Sequence, residues 1–136
     1  MSESIFKENL FEGKKVFITG GATGMGLGFA KAFLEHGADV LIASRKEENL
    51  SKAASEIKEQ TGKTLHWKMM DVRKNETVEE VAKHIKDKWG YLDVLVNNAA
   101  GNFVTPAAAM SENAWRAVID IVPVSYTHLR AHETWS

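Results

Sequence analysis

The sequence predicts an α/β fold in which parallel strands form a doubly wound sheet. Three observations carry this prediction: short apolar runs without polar alternation, segments of helical spacing between those runs, and glycines that end the segments. Apolar runs of this kind are typical of strands that are buried on both faces. Strands that alternate with helices pair in parallel through right-handed crossovers. The expected order is β-α-β-α-β-α-β, then a loop and the start of a fourth helix, which makes the first half of such a sheet.

Four apolar runs mark the strands. Each run has the length of a strand, and none approaches the roughly 20 apolar residues that span a bilayer. The runs are Lys15 to Thr19, Val40 to Ala43, Leu65 to Met70, and Leu92 to Val96.

Three segments between the runs have apolar residues at the i, i+3, i+4 and i+7 positions of a helix. Gly37, Gly62 and Gly90 each follow one segment, and a residue that readily adopts positive φ closes a helix there. Asn75 and Ser111 are favoured N-cap types and predict where the third and fourth helices begin. The apolar positions are Leu27, Ala30 and Leu34, then Leu50, Ala53, Ala54 and Ile57, then Val78, Val81, Ala82, Ile85 and Trp89.

The composition is that of a soluble globular protein. With 17 basic and 18 acidic residues among 136, the formal net charge is −1, so the chain lacks the positive footprint of a nucleic-acid-binding protein. Hydrophobic residues make up 44% and cysteine is absent, which excludes a disordered chain, a disulfide scaffold and thiolate chemistry. The N-terminus lacks the basic and apolar regions of a signal peptide. We expect a cytoplasmic protein without a nucleic-acid or membrane partner, and the histidine spacing suggests no metal site.

A glycine-rich turn, Thr19 to Gly26, follows the first strand with the pattern T-G-x-x-x-G-x-G and opens directly into a helix. Glycine lets the chain turn sharply and lets its backbone approach a ligand. The amides and the dipole at a helix start favour an anion, so the expected ligand is the pyrophosphate of a dinucleotide. The alternative is a turn that only lets helix and strand pack closely. A Walker-type phosphate loop is excluded, because no Lys-Ser/Thr pair follows the glycines. The candidate cofactor-binding residues of this turn are Gly20, Ala22, Thr23, Gly24, Met25 and Gly26.

Ser44, Arg45 and Lys46 follow the second strand. A site that prefers NAD usually has a carboxylate at this strand end for the ribose 2′-hydroxyl. Here a hydroxyl side chain precedes two cations, and a guanidinium holds a 2′-phosphate that a carboxylate would repel. The three residues therefore predict NADPH as the cofactor. The alternative is a pair of solvated cations at a helix start, where they would oppose the helix dipole.

Three motifs in order resemble the short-chain dehydrogenase/reductase family, whose fold is a Rossmann-type sheet. They are the glycine turn, the pair Asp71-Val72 closing the third strand, and Asn97-Asn98-Ala99-Ala100-Gly101 after the fourth. The resemblance covers residues 10–122. It implies an NAD(P)-dependent oxidoreductase, with Asp71 and Val72 at the adenine pocket and the asparagine motif beside the cofactor.

Within that family, the segments Asn97 to Phe103 and Trp115 to Val122 are most similar to 2,4-dienoyl-CoA reductases. The resemblance implies reduction of a 2,4-dienoyl thioester with NADPH during fatty acid breakdown, with Asn102 and Phe103 near an acyl-CoA substrate. It also implies a homotetrameric parent protein. Two alternatives remain open: another family member, such as a 3-ketoacyl or sugar-alcohol dehydrogenase, and a nucleotide-binding module without activity. Phe103 is alternatively a loop aromatic that covers the sheet edge.

The last fourteen residues, 123–136, depart from the family's pattern. Pro123 falls where the fourth helix should continue, and a proline inside a helix costs about 3 kcal/mol or more. The family's catalytic serine and Tyr-x-x-x-Lys do not follow; Tyr126 and Arg130 imitate the second motif, but arginine stays protonated and cannot act as the lysine does. We predict part of a cofactor-binding domain over 1–122, a non-native tail over 123–136, and no catalytic residue in the chain.

Two further expectations follow from half of a doubly wound sheet. The chain by itself should be inactive, because the residues that act on the substrate are missing. Strand one should keep an unpaired edge where a fifth strand belongs, and such an edge promotes aggregation.

Overall fold

The computed structural model describes residues 5–99, and these form a parallel sheet of four strands with helices on both faces. The alternation predicted from the sequence is confirmed over this range. The predicted fourth helix, with Ser111 at its start, lies outside the described residues. The strands are β1 (Lys15–Thr19), β2 (Asp39–Ser44), β3 (His66–Met69) and β4 (Val94–Asn97), and the helices are α1 (Gly24–Glu35), α2 (Glu47–Thr61) and α3 (Asn75–Trp89).

The strand order is β3-β2-β1-β4, and every pair is parallel. On one side of β1, Val16 is in register with Val40 of β2; on the other side it is in register with Val94 of β4. The expectation that strand one keeps an unpaired edge is therefore wrong. The chain crosses back over the sheet after β3, so β4 takes the place beside β1. Within residues 5–99, the open edges belong to β3 and β4.

The sheet has an apolar layer on each face. Because side chains alternate along a strand, Val16 and Ile18 of β1 pack on one face while Phe17 packs on the other. The first face is covered by α1 and α2 and the second by α3. All three of these β1 side chains are at most 3% exposed, which explains why the run has no polar alternation.

The helices end where the glycines predict. Gly62 and Gly90 follow α2 and α3 with φ values of 72° and 79°, in the left-handed region that a glycine adopts without strain. The N-cap prediction for Asn75 is wrong: Lys74 is the N-cap, and Asn75 is the first helical residue, whose side-chain amide donates to Glu79 Oε1 at 2.6 Å. None of the three helices within residues 5–99 is long and apolar enough to cross a membrane.

Candidate functional site

A cleft of about 510 Å³ lies at the carboxyl ends of the strands. Its position follows from the strand order, because β1 lies between β2 and β4 at the point where the direction of winding reverses. In open parallel sheets, ligands bind outside the carboxyl ends at such a point. The described residues that line the cleft are Gly20, Thr23, Met25, Ala43, Ser44, Arg45, Lys46, Asn49, Met70, Asp71, Val72, Asn98 and Ala99.

The glycine turn brings the start of α1 against the end of β1. Gly20 has a φ of 66°, which favours glycine, and a Cβ there would lie 3.2 Å from the Ala99 Cα. A Cβ on Gly26 would lie 2.3 Å from the Gly20 carbonyl oxygen and 2.6 Å from the Asn98 Nδ2. No side chain can occupy these positions while the turn, the helix and the loop after β4 keep their separation.

The start of α1 suits an anionic ligand. Thr23 is the N-cap but makes no side-chain capping hydrogen bond, and the first turn contains no acidic residue. The first amides of α1 therefore have neither the usual side-chain acceptor nor a neighbouring carboxylate. Thr23 and Met25 line the cleft at this point. Amides in this arrangement fit the pyrophosphate of a dinucleotide.

Thr19 ties the glycine turn to the loop after β4. Thr19 is only 1% exposed. Its hydroxyl accepts hydrogen bonds from the Asn98 and Ala99 backbone amides, both at 3.1 Å. The Asn98 side chain in turn donates to the Gly20 carbonyl at 3.2 Å. The sequence interpretation treated Thr19 only as part of the glycine pattern; the signal for its role was a polar residue at the end of an apolar run.

Thr19→Val is expected to destabilise the fold by about 1–3 kcal/mol, because Ala99 N–H loses its acceptor while the shape of the side chain is kept. Asn98 N–H keeps a bond to the Val96 carbonyl at 3.1 Å. Urea unfolding followed by far-ultraviolet circular dichroism measures the change. Thr19→Ser keeps the hydroxyl and is the matched control, so a serine variant as unstable as the valine variant would contradict this role of the hydroxyl.

The basic end of the cleft lies where β2 meets α2. Ser44 ends β2, Lys46 is the N-cap of α2, and Arg45 lies between them; all three line the cleft. Asn49, in the first turns of α2, lines it as well. Sequence interpretation missed Asn49, although a polar residue three positions after Lys46 was the available signal.

Asp71 lines the cleft beyond the end of β3, and its side chain is 14% exposed. Arg73 donates two parallel hydrogen bonds to this carboxylate, from Nε to Oδ1 at 3.0 Å and from Nη2 to Oδ2 at 2.8 Å. The Arg73 hydrogen bonds hold the pKa of the Asp71 carboxyl below its usual value, although burial acts in the opposite direction. Asp71 is therefore a carboxylate at neutral pH.

Most of the residues predicted to bind a cofactor come together in this cleft. The exceptions among the described residues are Ala22, which is 6% exposed and packs in the core; Gly24, which opens α1; Gly26, at the close contact; and Asn97, which ends β4. Ala43 and Met70, which close the second and third apolar runs, also line the cleft, although the sequence interpretation did not name them as site residues. A direct cofactor contact at each position stays a prediction. Ala100, Gly101, Asn102 and Phe103 lie outside the described residues.

The part of the chain that the structure describes contains no group of side chains that could hold a metal ion. His66 and His84 do not line the cleft. The pKa of each is lowered, chiefly by burial, with a smaller contribution from Lys88 at His66 and Lys68 at His84.

Several curated proteins are similar to this chain in sequence. A peroxisomal 2,4-dienoyl-CoA reductase from Danio rerio is 39% identical over 117 residues, which cover 86% of this chain and 39% of that protein. A probable 2,4-dienoyl-CoA reductase from Bacillus subtilis is 41% identical over 111 residues, covering 82% of this chain and 43% of that protein. The chain thus spans about two fifths of the length of these relatives.

Solved structures agree with the fold. A citronellol catabolism dehydrogenase from Pseudomonas aeruginosa matches with a TM-score of 0.88 and 32% identity, over 97% of this chain and 54% of that one. L-Sorbose reductase from Gluconobacter frateurii, solved with NADPH and L-sorbose, matches with a TM-score of 0.82 and 27% identity, over 90% of this chain and 46% of that one.

The short chain dehydrogenase family matches the sequence over residues 14–132. The match reaches ten residues past 122, where the sequence predicts that the native part ends (132 against 122); that boundary stays a prediction. The strand order and the glycine turn described above agree with this match, and so do the relatives. The chain belongs to the short-chain dehydrogenase/reductase family of Rossmann-fold oxidoreductases.

Proposed function

We propose that this chain supplies the NADPH-binding part of a 2,4-dienoyl-CoA reductase. The observation that carries the cofactor choice is the pair of cations, Arg45 and Lys46, on the wall of the cleft at the end of β2. Among the described residues that line the cleft at the end of β2, none is a carboxylate, and a guanidinium matches the geometry of a phosphate. The L-sorbose reductase neighbour, solved with NADPH, supports NADPH binding on this fold.

Each part of the cleft has a role in the proposed binding. The amides at the start of α1 receive the pyrophosphate, and Arg45 and Lys46 balance the charge of the 2′-phosphate. Thr19 holds the loop after β4 against the turn, which keeps that side of the cleft in place. When bound, NADPH supplies a hydride from the nicotinamide C4.

The substrate class rests on the relatives. Proteins named 2,4-dienoyl-CoA reductase from Danio rerio and Bacillus subtilis are 39% and 41% identical to this chain, although their names give different enoyl products. The proposal therefore extends to the shared substrate, a 2,4-dienoyl thioester, with Asn102 and Phe103 beside it. A sugar-reducing activity is the second candidate, favoured by the likeness to L-sorbose reductase.

The purified chain is expected to bind NADPH at least about 100-fold more tightly than NADH, because two cations face the extra phosphate. Isothermal titration calorimetry measures both affinities. With NADPH bound, a 2,4-hexadienoyl-CoA titration should give heat of binding and an L-sorbose titration should not. The reverse substrate pattern would favour the sugar reductase, and equal affinity for the two cofactors would contradict the NADPH assignment.

The same preparation is expected not to oxidise NADPH when the dienoyl thioester is added. The 136 residues contain no Tyr-x-x-x-Lys, since Tyr91 is followed four positions later by Leu95 and Tyr126 by Arg130. No matching pair is then present to polarise the thioester carbonyl and deliver a proton. Steady loss of NADPH absorbance that depends on both protein and thioester would contradict this expectation.

A further inference from the structure

Asp71 is the only carboxylate among the described residues that line the cleft. Its neighbours in the lining include Ala43, Met70 and Val72, which are 1%, 3% and 7% exposed. An apolar slot with one acceptor at its edge suits a flat ring that offers an N–H donor. A carboxylate accepts hydrogen bonds and donates none, so Asp71 favours a ligand that presents a hydrogen-bond donor at this edge of the slot.

Arg73 holds that carboxylate from outside the cleft, since it is not among the lining residues. Besides the two side-chain bonds, the Arg73 backbone amide donates to Asp71 Oδ1 at 3.0 Å. The Asp71 backbone is held separately: its amide donates to Thr77 Oγ1 at 3.0 Å, and Thr77 Oγ1 lies 2.7 Å from the Asp71 carbonyl oxygen. Both the backbone and the side chain of Asp71 are therefore oriented before any ligand arrives.

The ion pair between Arg73 and Asp71 reduces the repulsion that the cleft would exert on an anionic ligand. An unpaired carboxylate in a cleft that receives phosphates would repel them. The Arg73 guanidinium balances the Asp71 charge while the Arg73 side chain, 33% exposed, leaves the slot open. Asp71 Oδ1 accepts from both Arg73 Nε and the Arg73 backbone amide, whereas Oδ2 accepts from Arg73 Nη2 alone. The second lone pair of Oδ2 can therefore still accept from a ring amino group.

We propose that Arg73 is a positioning residue for base recognition: it orients and neutralises Asp71 so that this carboxylate accepts a hydrogen bond from the 6-amino group of adenine. The inference rests on the proposed binding of NADPH in this cleft and adds the residue that orients the carboxylate facing the base. Hypoxanthine has a carbonyl oxygen where adenine has the amino group. That oxygen would face the carboxylate as a second acceptor, with no proton between them.

The test compares NADPH with reduced nicotinamide hypoxanthine dinucleotide phosphate by calorimetry. The unchanged chain is expected to prefer the adenine form by about tenfold or more, the worth of one charge-assisted hydrogen bond. Arg73→Gln should reduce this preference to about twofold or less. Arg73→Lys keeps the positive charge but not the two parallel guanidinium donors, so it should retain more of the preference than Arg73→Gln. A purely structural loss would weaken both dinucleotides alike and leave their ratio unchanged.

Lys74→Gln is the matched control, because it removes a neighbouring positive charge without any side-chain bond to Asp71. It should leave the base preference unchanged. A carbon-13 titration of the Asp71 carboxyl gives a second readout that needs no ligand: its pKa should rise in Arg73→Gln and stay in place in Lys74→Gln.

Two outcomes would overturn the inference in distinguishable ways. If the Arg73→Gln chain binds NADPH with an unchanged base preference, Arg73 has no such role and the proposed function stands. If the unchanged chain binds neither dinucleotide, the proposed function fails and the inference fails with it. An Asp71 pKa that is the same in both variants would remove its electrostatic basis.

Discussion

Gly26→Ala is expected to destabilise the fold by about 1–3 kcal/mol and to abolish dinucleotide binding. The added Cβ would lie 2.3 Å from the Gly20 carbonyl oxygen, which belongs to the backbone of a tight turn and cannot rotate away. It would also lie 2.6 Å from the Asn98 Nδ2, whose hydrogen bond to the same carbonyl would be lost. Either α1 moves away from β1 or the turn opens, and both changes displace the amides proposed to hold the pyrophosphate.

Gly28→Ala is the matched control, since it adds the same methyl group to the same helix two residues later. A Cβ on Gly28 meets nothing within 4 Å, and alanine favours helices over glycine by about 1 kcal/mol. We expect this variant to be slightly more stable and to bind NADPH normally. Thermal unfolding and calorimetric titration of both variants measure the contrast. Equal stability of the two would contradict the close contact at Gly26.

Arg45→Asp is expected to weaken NADPH binding by about 100-fold or more, while NADH binding stays within about threefold of its original value. The change removes a phosphate-binding guanidinium and places a carboxylate where it repels the 2′-phosphate and can accept from a free ribose 2′-hydroxyl. The cofactor preference should therefore fall to parity or reverse. Calorimetric titration of each cofactor measures this.

Lys52→Asp makes the same charge change on α2, at a side chain that is 76% exposed and away from the cleft lining. It should reduce NADPH affinity only slightly, through the long-range field. If both variants lose NADPH affinity equally, the effect is one of net charge and not of a phosphate contact. If Arg45→Asp leaves the cofactor ratio unchanged, Arg45 does not contact the 2′-phosphate.

The alternation of strands and helices could be predicted from the sequence because each element follows a local rule. Lys15 to Thr19 was predicted with the observed bounds, since a strand that is buried on both faces shows as an unbroken apolar run. The third strand was predicted from Leu65 to Met70 but extends from His66 to Met69. Leu65 and Met70 are buried, at 3% exposure each, and lie just outside the paired ladder. An apolar residue in the sequence indicates burial, whereas the bounds of a strand depend on hydrogen-bonded pairing with the neighbouring strand.

The order of the strands in the sheet could not be read from any local pattern. The wrong expectation of an open edge on β1 shows this, because the neighbours of a strand depend on where the chain returns after a crossover. Within the described residues, the edges open to aggregation are therefore β3 and β4; Val94 and Leu95 of β4 are only partly buried, and Met69 of β3 is 52% exposed.

The candidate site also has features that could be predicted from the sequence and others that could not. The residue types that line the cleft could be predicted from the sequence, because glycines after a strand and cations at a strand end are recognised from their order along the chain. The contacts that support these residues could not: Thr19 bonds to a loop some 79–80 positions away, and Arg73 bonds to Asp71. Hydrogen bonds and close contacts depend on distance in space, which sequence order does not give. Residues far apart in the chain meet only after β1 has taken its place between β2 and β4.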